Sequence, residues 1–313
     1  MKLFRYITIA TAILSASCSQ FQDADGNAVI SATHPRYYAS LDEETKTYVE
    51  DNKYLRWHAE DEISVFPTHT TNVRYQFEGQ TGDKGGSFKM LEADVATGNP
   101  LNYTYAVYPY NSANSISDDG VLLVTLPMVQ HYAERSFGRG ANTSVAVSEN
   151  AVSDKLFFKN ACGYLKLRLY GEAQEIKSVT LRGNNGEKIA GAATITATFD
   201  GVPEVKMSDS ATTDVVIVCD GGVMLGTTAE EATEFWFVLP EVVFTKGFTV
   251  YVSGEVREMK QSTSNSVTIE RNKILPMEAL QVEPNITIAN RKILYTSSDG
   301  NIVTPYSGIR FRC

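Results

Sequence analysis

From about residue 45 onward the chain is a succession of short β-prone runs, each closed by Gly, Asn, Asp or Pro. "EISVFP", "VRYQFEG", "GSFKML", "YTYAVYPY" and "VLLVTLP" follow one another at intervals of roughly 10–15 residues. "KLFFKN", "YLKLRLYG", "IKSVTLRG", "ATITATFDG", "DVVIVC", "EFWFVLP", "FTVYVSG" and "SVTIERNK" continue the series. In "YLKLRLY" the residues Tyr164, Leu165, Leu167 and Leu169 interleave with Lys166 and Arg168, so one face is buried and the other wet. "GNNG", Gly183 to Gly186, reads as a hairpin turn between "SVTLRG" and "EKIAGA". Helical periodicity is weak throughout. Many short strands at regular spacing predict an all-β chain of sandwich type. Two halves, 33–157 and 158–283, each hold a similar set of strands, and each has a strand ending in Leu-Pro (Leu126-Pro127 and Leu239-Pro240).

The first 17 residues have a different character. Lys2 and Arg5 precede the apolar stretch "YITIATAIL", and the small residues Ser15, Ala16 and Ser17 stand directly before Cys18. That is the layout of a secretory signal, with an apolar run too short to cross a bilayer core of roughly 30 Å. A cysteine immediately after the small residues marks a bacterial lipoprotein signal, in which the thiol is alkylated with diacylglycerol and the chain is cut before it. Ser15 stands where such signals usually carry Leu, and Leu14 lies one place further back. The expectation is a signal peptide over 1–17, a lipid on Cys18 and a flexible tether over 18–32. A soluble secreted form and an uncleaved anchor are the alternatives.

Without residues 1–17 the formal net charge moves from −9 to −11, through loss of Lys2 and Arg5. A chain this acidic, with no basic stripe, repels phosphate backbones, so a nucleic-acid partner is excluded. If Cys18 carries lipid, Cys162, Cys219 and Cys313 remain, an odd and scattered set that is no disulfide framework. Cys162 and Cys219 read as small buried hydrophobes, with a bridge between them as the alternative.

Catalytic patterns are lacking. His34, His58, His69 and His131 are dispersed, and no His-Glu-x-x-His, Gly-x-Ser-x-Gly or Walker A pattern occurs. "TGDKGGSF" places Lys84 too early for a phosphate loop, and "DADGN" places Gly26 too early for a calcium loop. Asp118-Asp119 before Gly120 looks like a turn, and His58 with His69 reads as strand-end histidines rather than metal ligands. The expectation is a non-enzymatic protein without cofactor or metal.

Several runs together resemble one family. "TKTYVEDNKYLRWHAEDEISVF" is similar to the opening of fimbrillin-like (Mfa-like) surface lipoproteins of Bacteroidales. The shared elements are Thr45 to Thr47, Trp57, and the acidic Asp61 leading to Phe66. "YAVYPY", "LPMVQHY", "LFFKNACGYLKLRL", "IAGAATI" and "EFWFVLP" extend the resemblance to about residue 283. It implies two tandem transthyretin-like Greek-key β-sandwiches and a fimbrial or adhesive structural role at the outer membrane. It further implies assembly with other subunits: proteolysis after an arginine near the first strands exposes a groove that a strand from another subunit fills. Arg56, before Trp57, and Arg36, in "HPRYY", are the candidate sites. Other members of the family are surface lipoproteins that do not polymerise.

The tail over 284–313 carries a second resemblance. "ILYTSSDGNIVTPY" is similar to the lead-in of BspA-type leucine-rich repeat surface proteins, without the repeats, and reads as a hairpin-like pair of strands. A truncated repeat protein and an exchangeable strand are its two readings. The alternative function is a surface glycan- or ligand-binding lipoprotein, with a host or bacterial surface ligand held by an aromatic cluster of Tyr105, Tyr108 and Tyr110.

Overall fold

The computed structural model describes residues 34–41, 55–91, 100–172, 175–254 and 258–282, and outside them the backbone of four two-residue strands. The first two of these, β1 (Phe21–Gln22) and β2 (Ala28–Val29), pair antiparallel. The described residues contain strands and no helix, so the all-β expectation holds, and no helix is long and apolar enough to cross a membrane.

Seven strands close into a barrel. They are β3 (Arg36–Leu41), β4 (Glu62–Thr68), β5 (Thr71–Phe77), β6 (Gly85–Met90), β7 (Pro100–Tyr108), β12 (Ser144–Val147) and β13 (Lys155–Asn160). Their order around the ring is β12-β13-β3-β6-β5-β4-β7. The period of two sets the interior: on β5, Val73, Tyr75 and Phe77 point inward while Arg74 and Gln76 are half-buried. A ring of this size has an interior just large enough for side chains, and Trp57, Tyr37, Tyr75, Phe88 and Phe158 fill it.

A second layer lies against the barrel: β8 (Ser115–Ile116), β9 (Leu122–Leu126), β16 (Gly191–Thr196) and β17 (Glu204–Met207), in the order β17-β16-β9-β8. A sandwich stands beside both, sharing a core with them. One wall has six strands in the order β11-β10-β18-β15-β21-β22. These are β10 (Val129–Ala133), β11 (Ser136–Phe137), β15 (Glu175–Gly183), β18 (Asp214–Met224), β21 (Phe248–Gly254) and β22 (Glu258–Ser262). The other wall is β19 (Thr233–Leu239), β14 (Gly163–Gly171) and β24 (Ile274–Val282), with β14 central. The pair β20 (Val242–Phe244) and β23 (Val267–Ile269) and the terminal pair β25 (Tyr295–Thr296) and β26 (Ile302–Val303) complete the strands. The expected strand pair of the tail is this last one.

The alternation read in "YLKLRLY" is present on β14: Leu165, Leu167 and Leu169 enter the sandwich core, while Tyr164 belongs to a separate core at the seam with the barrel. The turn at "GNNG" is also present, with Gly186 at φ +78°, but it closes no hairpin. β15 pairs with β18 and β21, and the chain beyond the turn crosses to β9 in another sheet. The destination follows from burial: Val179 and Leu181 of β15 pack in the sandwich core, whereas Ala193 and Ile195 of β16 pack in the seam core. Cys162 sits in the seam core and Cys219 in the sandwich core, both as free thiols. Burial pushes Cys162 up to about 12 and Cys219 up to about 11, so both behave as small hydrophobes and form no bridge.

Strands cross between the halves read from sequence. β9 pairs antiparallel with β16, and β10 runs parallel to β18. Gln130 of β10 goes further. Its buried amide donates to the Val238 carbonyl (2.7 Å) and accepts from the Val238 N–H (3.0 Å), acting as one residue of a strand beside β19. The seam core mixes Phe66, Val107, Leu122 and Val124 with Tyr164, Ile195, Trp236 and Val238. Each such side chain contributes about 1.5–3 kcal/mol when buried. A chain of residues 158–283 alone would expose that surface and lose two strand partners. We expect it to be insoluble or to lack a cooperative melt by circular dichroism, where the full chain gives one; a well-folded 158–283 fragment would refute the shared core.

Candidate functional site

The segment 55–61, which leads into β4, is fixed from two sides. Trp57 is 1% exposed and makes edge contacts with Phe88, Tyr108 and Phe158, at centroid distances of 5.0, 5.2 and 5.4 Å. Its backbone N–H donates to the Asp83 carbonyl (3.0 Å), and its backbone carbonyl accepts from the Gly82 N–H (2.9 Å). Four residues on, Asp61 is 2% exposed and accepts three bonds: the His58 backbone N–H (2.8 Å), Arg139 Nε (2.9 Å) and the Tyr108 hydroxyl (3.3 Å). A buried carboxylate persists only when it is paired and hydrogen-bonded in this way. Burial works against the Arg139 charge, but the bond and charge of Asp61 outweigh it and its pKa is raised. Burial, and after it the Asp61 charge, also holds the Tyr108 hydroxyl above its ordinary range.

Arg139 comes from the stretch that follows the β10–β11 hairpin. Tyr132 faces Phe137 and Ala133 faces Ser136, which leaves Glu134 and Arg135 as a two-residue loop. Such loops call for positive φ, and Arg135 is at φ +55° without being glycine. The hairpin, the 55–58 segment and the inner edge of the sandwich enclose a cleft of about 150 Å³. Arg56, Arg135, Arg139 and His58 line it, as do Tyr108, Phe137 and Trp236. Asn142, Ser144 and Tyr164, all buried, form a polar floor: the Tyr164 hydroxyl donates to Asn142 Oδ1 (3.1 Å), and Asn142 Nδ2 donates to Ser144 Oγ (3.2 Å). Trp57 is also in the wall, and its buried indole N–H has no acceptor. A buried donor left unmet costs about 1–3 kcal/mol.

The residues expected from sequence are distributed as follows. Arg56 borders the cleft, and the peptide bond that follows it leads into the buried Trp57. Arg36 is the first residue of β3, paired with Glu78 through Nε at 2.9 Å, ahead of the buried Tyr37. The three tyrosines share no face. Tyr105 packs on the seam core, Tyr108 on the barrel core, and Tyr110 lies under the Arg74 guanidinium at 5.1 Å. Strand alternation on β7 separates the first two, and of the three only Tyr108 reaches the cleft. Cys18 and Cys313 lie outside the described residues. His69 bonds the Ser117 carbonyl and His131 pairs with Asp220, and no group of three or more metal-ligating side chains occurs among the described residues. Arg135, Arg139 and Asn142 were not singled out in the sequence; the one local signal is Arg139 between two glycines in "FGRG".

No family model matches the chain, and no curated protein matches it. Solved structures do. Two are each described as a "putative cell adhesion protein". The one from Bacteroides ovatus is 15% identical, covers 79% of this chain and 91% of its own, and has a TM-score of 0.46. The one from Bacteroides uniformis is 15% identical, covers 83% and 94%, and has a TM-score of 0.42. A fimbrial assembly protein from Parabacteroides distasonis is 12% identical, covers 86% and 99%, and has a TM-score of 0.32.

Asp61 ties three separate segments together, so its charge is testable as a structural element. Asp61→Asn is expected to lower stability by about 2 kcal/mol in urea unfolding, and Tyr108→Phe by about 1 kcal/mol or less. A change within error for Asp61→Asn would show that the three bonds do not matter.

Proposed function

We propose that this chain is a non-enzymatic lipoprotein of the bacterial outer membrane, exposed at the cell surface and anchored through Cys18. There it serves as a fimbrial or adhesive structural subunit that joins other subunits by exchange of a strand. A thioether-linked diacylglycerol plus an amide-linked chain gives at least two acyl anchors, enough for stable attachment where one is marginal. The sequence around Cys18 supports the anchor.

The observation that carries the assembly reading is the place of β3. It is the barrel strand that precedes residue 55, and it bonds antiparallel to β6 on one side and parallel to β13 on the other. Tyr37 and Ala39 point from it into the barrel core, at 1% and 0% exposure. Withdrawal of β3 opens the ring between β6 and β13 and leaves two unpaired edges with a slot for alternate side chains. An extended strand from another copy meets the same ladder of donors and acceptors, which is the physics of β-augmentation.

The two arginines differ in what a cut would do. Cleavage after Arg36 leaves Tyr37 to Leu41 attached and the barrel closed. Cleavage after Arg56 separates the whole of β3 from the rest of the barrel. That bond is held by the Trp57 contacts, so a protease reaches it through local opening of the 55–58 segment. This favours Arg56 as the maturation site and a slow cut.

Two outcomes are expected. Labelling cells with an alkyne palmitate tags the wild-type protein and not Cys18→Ala; equal labelling of both would remove the anchor. Unheated cell extracts give SDS-resistant ladders that disappear in Arg56→Ala and persist in Arg36→Ala. Absence of ladders in the wild type, or their survival in Arg56→Ala, would refute assembly through a cut at Arg56.

A further inference from the structure

We propose that Arg139 is a latch on the 55–61 segment that keeps the Arg56–Trp57 bond closed to proteases, and that its position is set by the strand β10 on which its own stretch of chain is packed. The proposal deepens the maturation reading above and rests on it for its biological role. Opening of the segment is itself a property of the folded chain.

The chain just after Arg56 and Trp57 is a tight turn under strain. The Asp61 N–H donates back to the His58 carbonyl (3.1 Å), and the Asp61 carboxylate takes the His58 N–H (2.8 Å). Glu60, inside that turn, is at φ +65° without being glycine, a conformation that persists only where the surroundings impose it. The barrel supplies one set of restraints, from the connection between β5 and β6. Asp83 and Gly82 bond the backbone of Trp57, and Thr81 Oγ1 accepts from the Ala59 N–H (3.0 Å). Arg139 supplies a second set from outside the barrel. Its Nε donates to Asp61 Oδ1 (2.9 Å) and its Nη2 to the Ala59 carbonyl (3.2 Å), so one guanidinium spans the strained turn.

The two partners are unequal. Asp61 is 2% exposed, whereas the Arg139 side chain is 51% exposed. Water replaces the lost bonds of a withdrawn Arg139, but Asp61 is left as a buried carboxylate without its counter-charge. Opening of the turn to solvent relieves that charge. The turn begins one residue after Trp57, so its opening loosens the bonds on the Trp57 backbone and exposes the peptide bond before it. Arg139 is aimed by the glycines on either side of it. Gly138 is buried against β10, where a Cβ would lie 2.2 Å from the His131 carbonyl oxygen, and Gly140 turns the chain at φ +74°. His131 in turn faces Val218 in the parallel pairing of β10 with β18. A continuous path therefore runs from the sandwich wall through β10 and Gly138 to Arg139 and the turn.

Detergent-solubilised full-length protein is incubated with an arginine-specific endoprotease, which adds water across the Arg56–Trp57 peptide bond and leaves a carboxylate on Arg56 and an amino group on Trp57. The initial rate at which chains beginning at Trp57 form is followed by mass spectrometry. Arg139→Ala is expected to raise that rate at least about tenfold, and Arg139→Lys, which keeps a cation for Asp61, to raise it less. In an Asp61→Asn background Arg139→Ala is expected to raise it less than about threefold, because the buried charge is already gone. Gly138→Ala, which pushes the stretch off β10, is expected to raise it at least about threefold. Val179→Ala, in the sandwich core and away from the turn, lowers the melting temperature but is expected to change the rate less than about twofold. The proposal is overturned by an unchanged rate in Arg139→Ala or Gly138→Ala, or by Arg139→Lys being as fast as Arg139→Ala. It is equally overturned by a full effect of Arg139→Ala in the Asp61→Asn background, or by an acceleration in Val179→Ala as large as in Arg139→Ala. Ladders are read separately in cell extracts, so an unaccelerated cut with ladders intact rejects the latch alone, and an accelerated cut without ladders rejects the assembly reading alone.

Discussion

Without helices, a backbone must satisfy its N–H and C=O groups across strands, and every sheet edge is then a problem to be solved. Each solution in this protein recruits a segment distant in sequence. The first sheet closes on itself, which requires β3 to lie between β6 and β13. The edge of the six-stranded wall is extended by β10, a strand from the first half. The edge of β19 is met at Val238 by the amide of Gln130, 108 residues away. Closure of edges, more than any one contact, fuses the two halves. The seam core then fills the space that this crossing encloses.

The cleft is a consequence of that crossing. Once β10 and β11 are drawn to the sandwich, the chain must return to the barrel as β12, and the return passes over the 55–61 segment. Arg139 on this return meets Asp61, 78 residues earlier, and Asp61 also takes the Tyr108 hydroxyl. The 55–61 segment, barrel strand β7 and the stretch after the β10–β11 hairpin therefore converge around one carboxylate. Side chains that no local pattern groups together become neighbours, and the space they leave has largely apolar walls over a floor that carries the buried amides and hydroxyls of the junction.

What could be read in the sequence divides along the same line. Period-two alternation in "YLKLRLY" identified the face of β14 that enters the sandwich core; the face read as wet instead holds the half-buried Lys166 and Arg168 and, at its start, Tyr164 in the seam core. Asp61, which opens "DEISVF", and the Trp four places before it were visible through the family resemblance, and they are Asp61 and Trp57 of the site. The partners of strands were not visible. "GNNG" has the chemistry of a turn whichever sheet the next strand joins, and the choice was made by Ala193 and Ile195 packing at the seam. The tyrosines of "YTYAVYPY" form a cluster in sequence and scatter in space, because successive residues of a strand point to opposite faces. Arg135 carried no signal and Arg139 only its place between two glycines, since their meaning depends on Asp61 and Trp57 far upstream.

The proposed cut after Arg56 would also act on the cleft that Arg56 borders. A cut after Arg56 leaves Trp57 as a new chain end, whose α-amino group is largely cationic below its pKa of about 8. The lining would then lose Leu41, Leu55 and Arg56, which leave with β3, and gain an ammonium at Trp57. Anything held between Arg56, Trp57 and the hairpin stabilises the closed 55–58 segment, and by linkage it lowers the population of the open form that a protease needs. A closed, well-packed 55–58 segment would therefore favour the uncut protein. The same tryptophan that seals the barrel core sets the balance, because its burial is what keeps both the bond and the cleft in place.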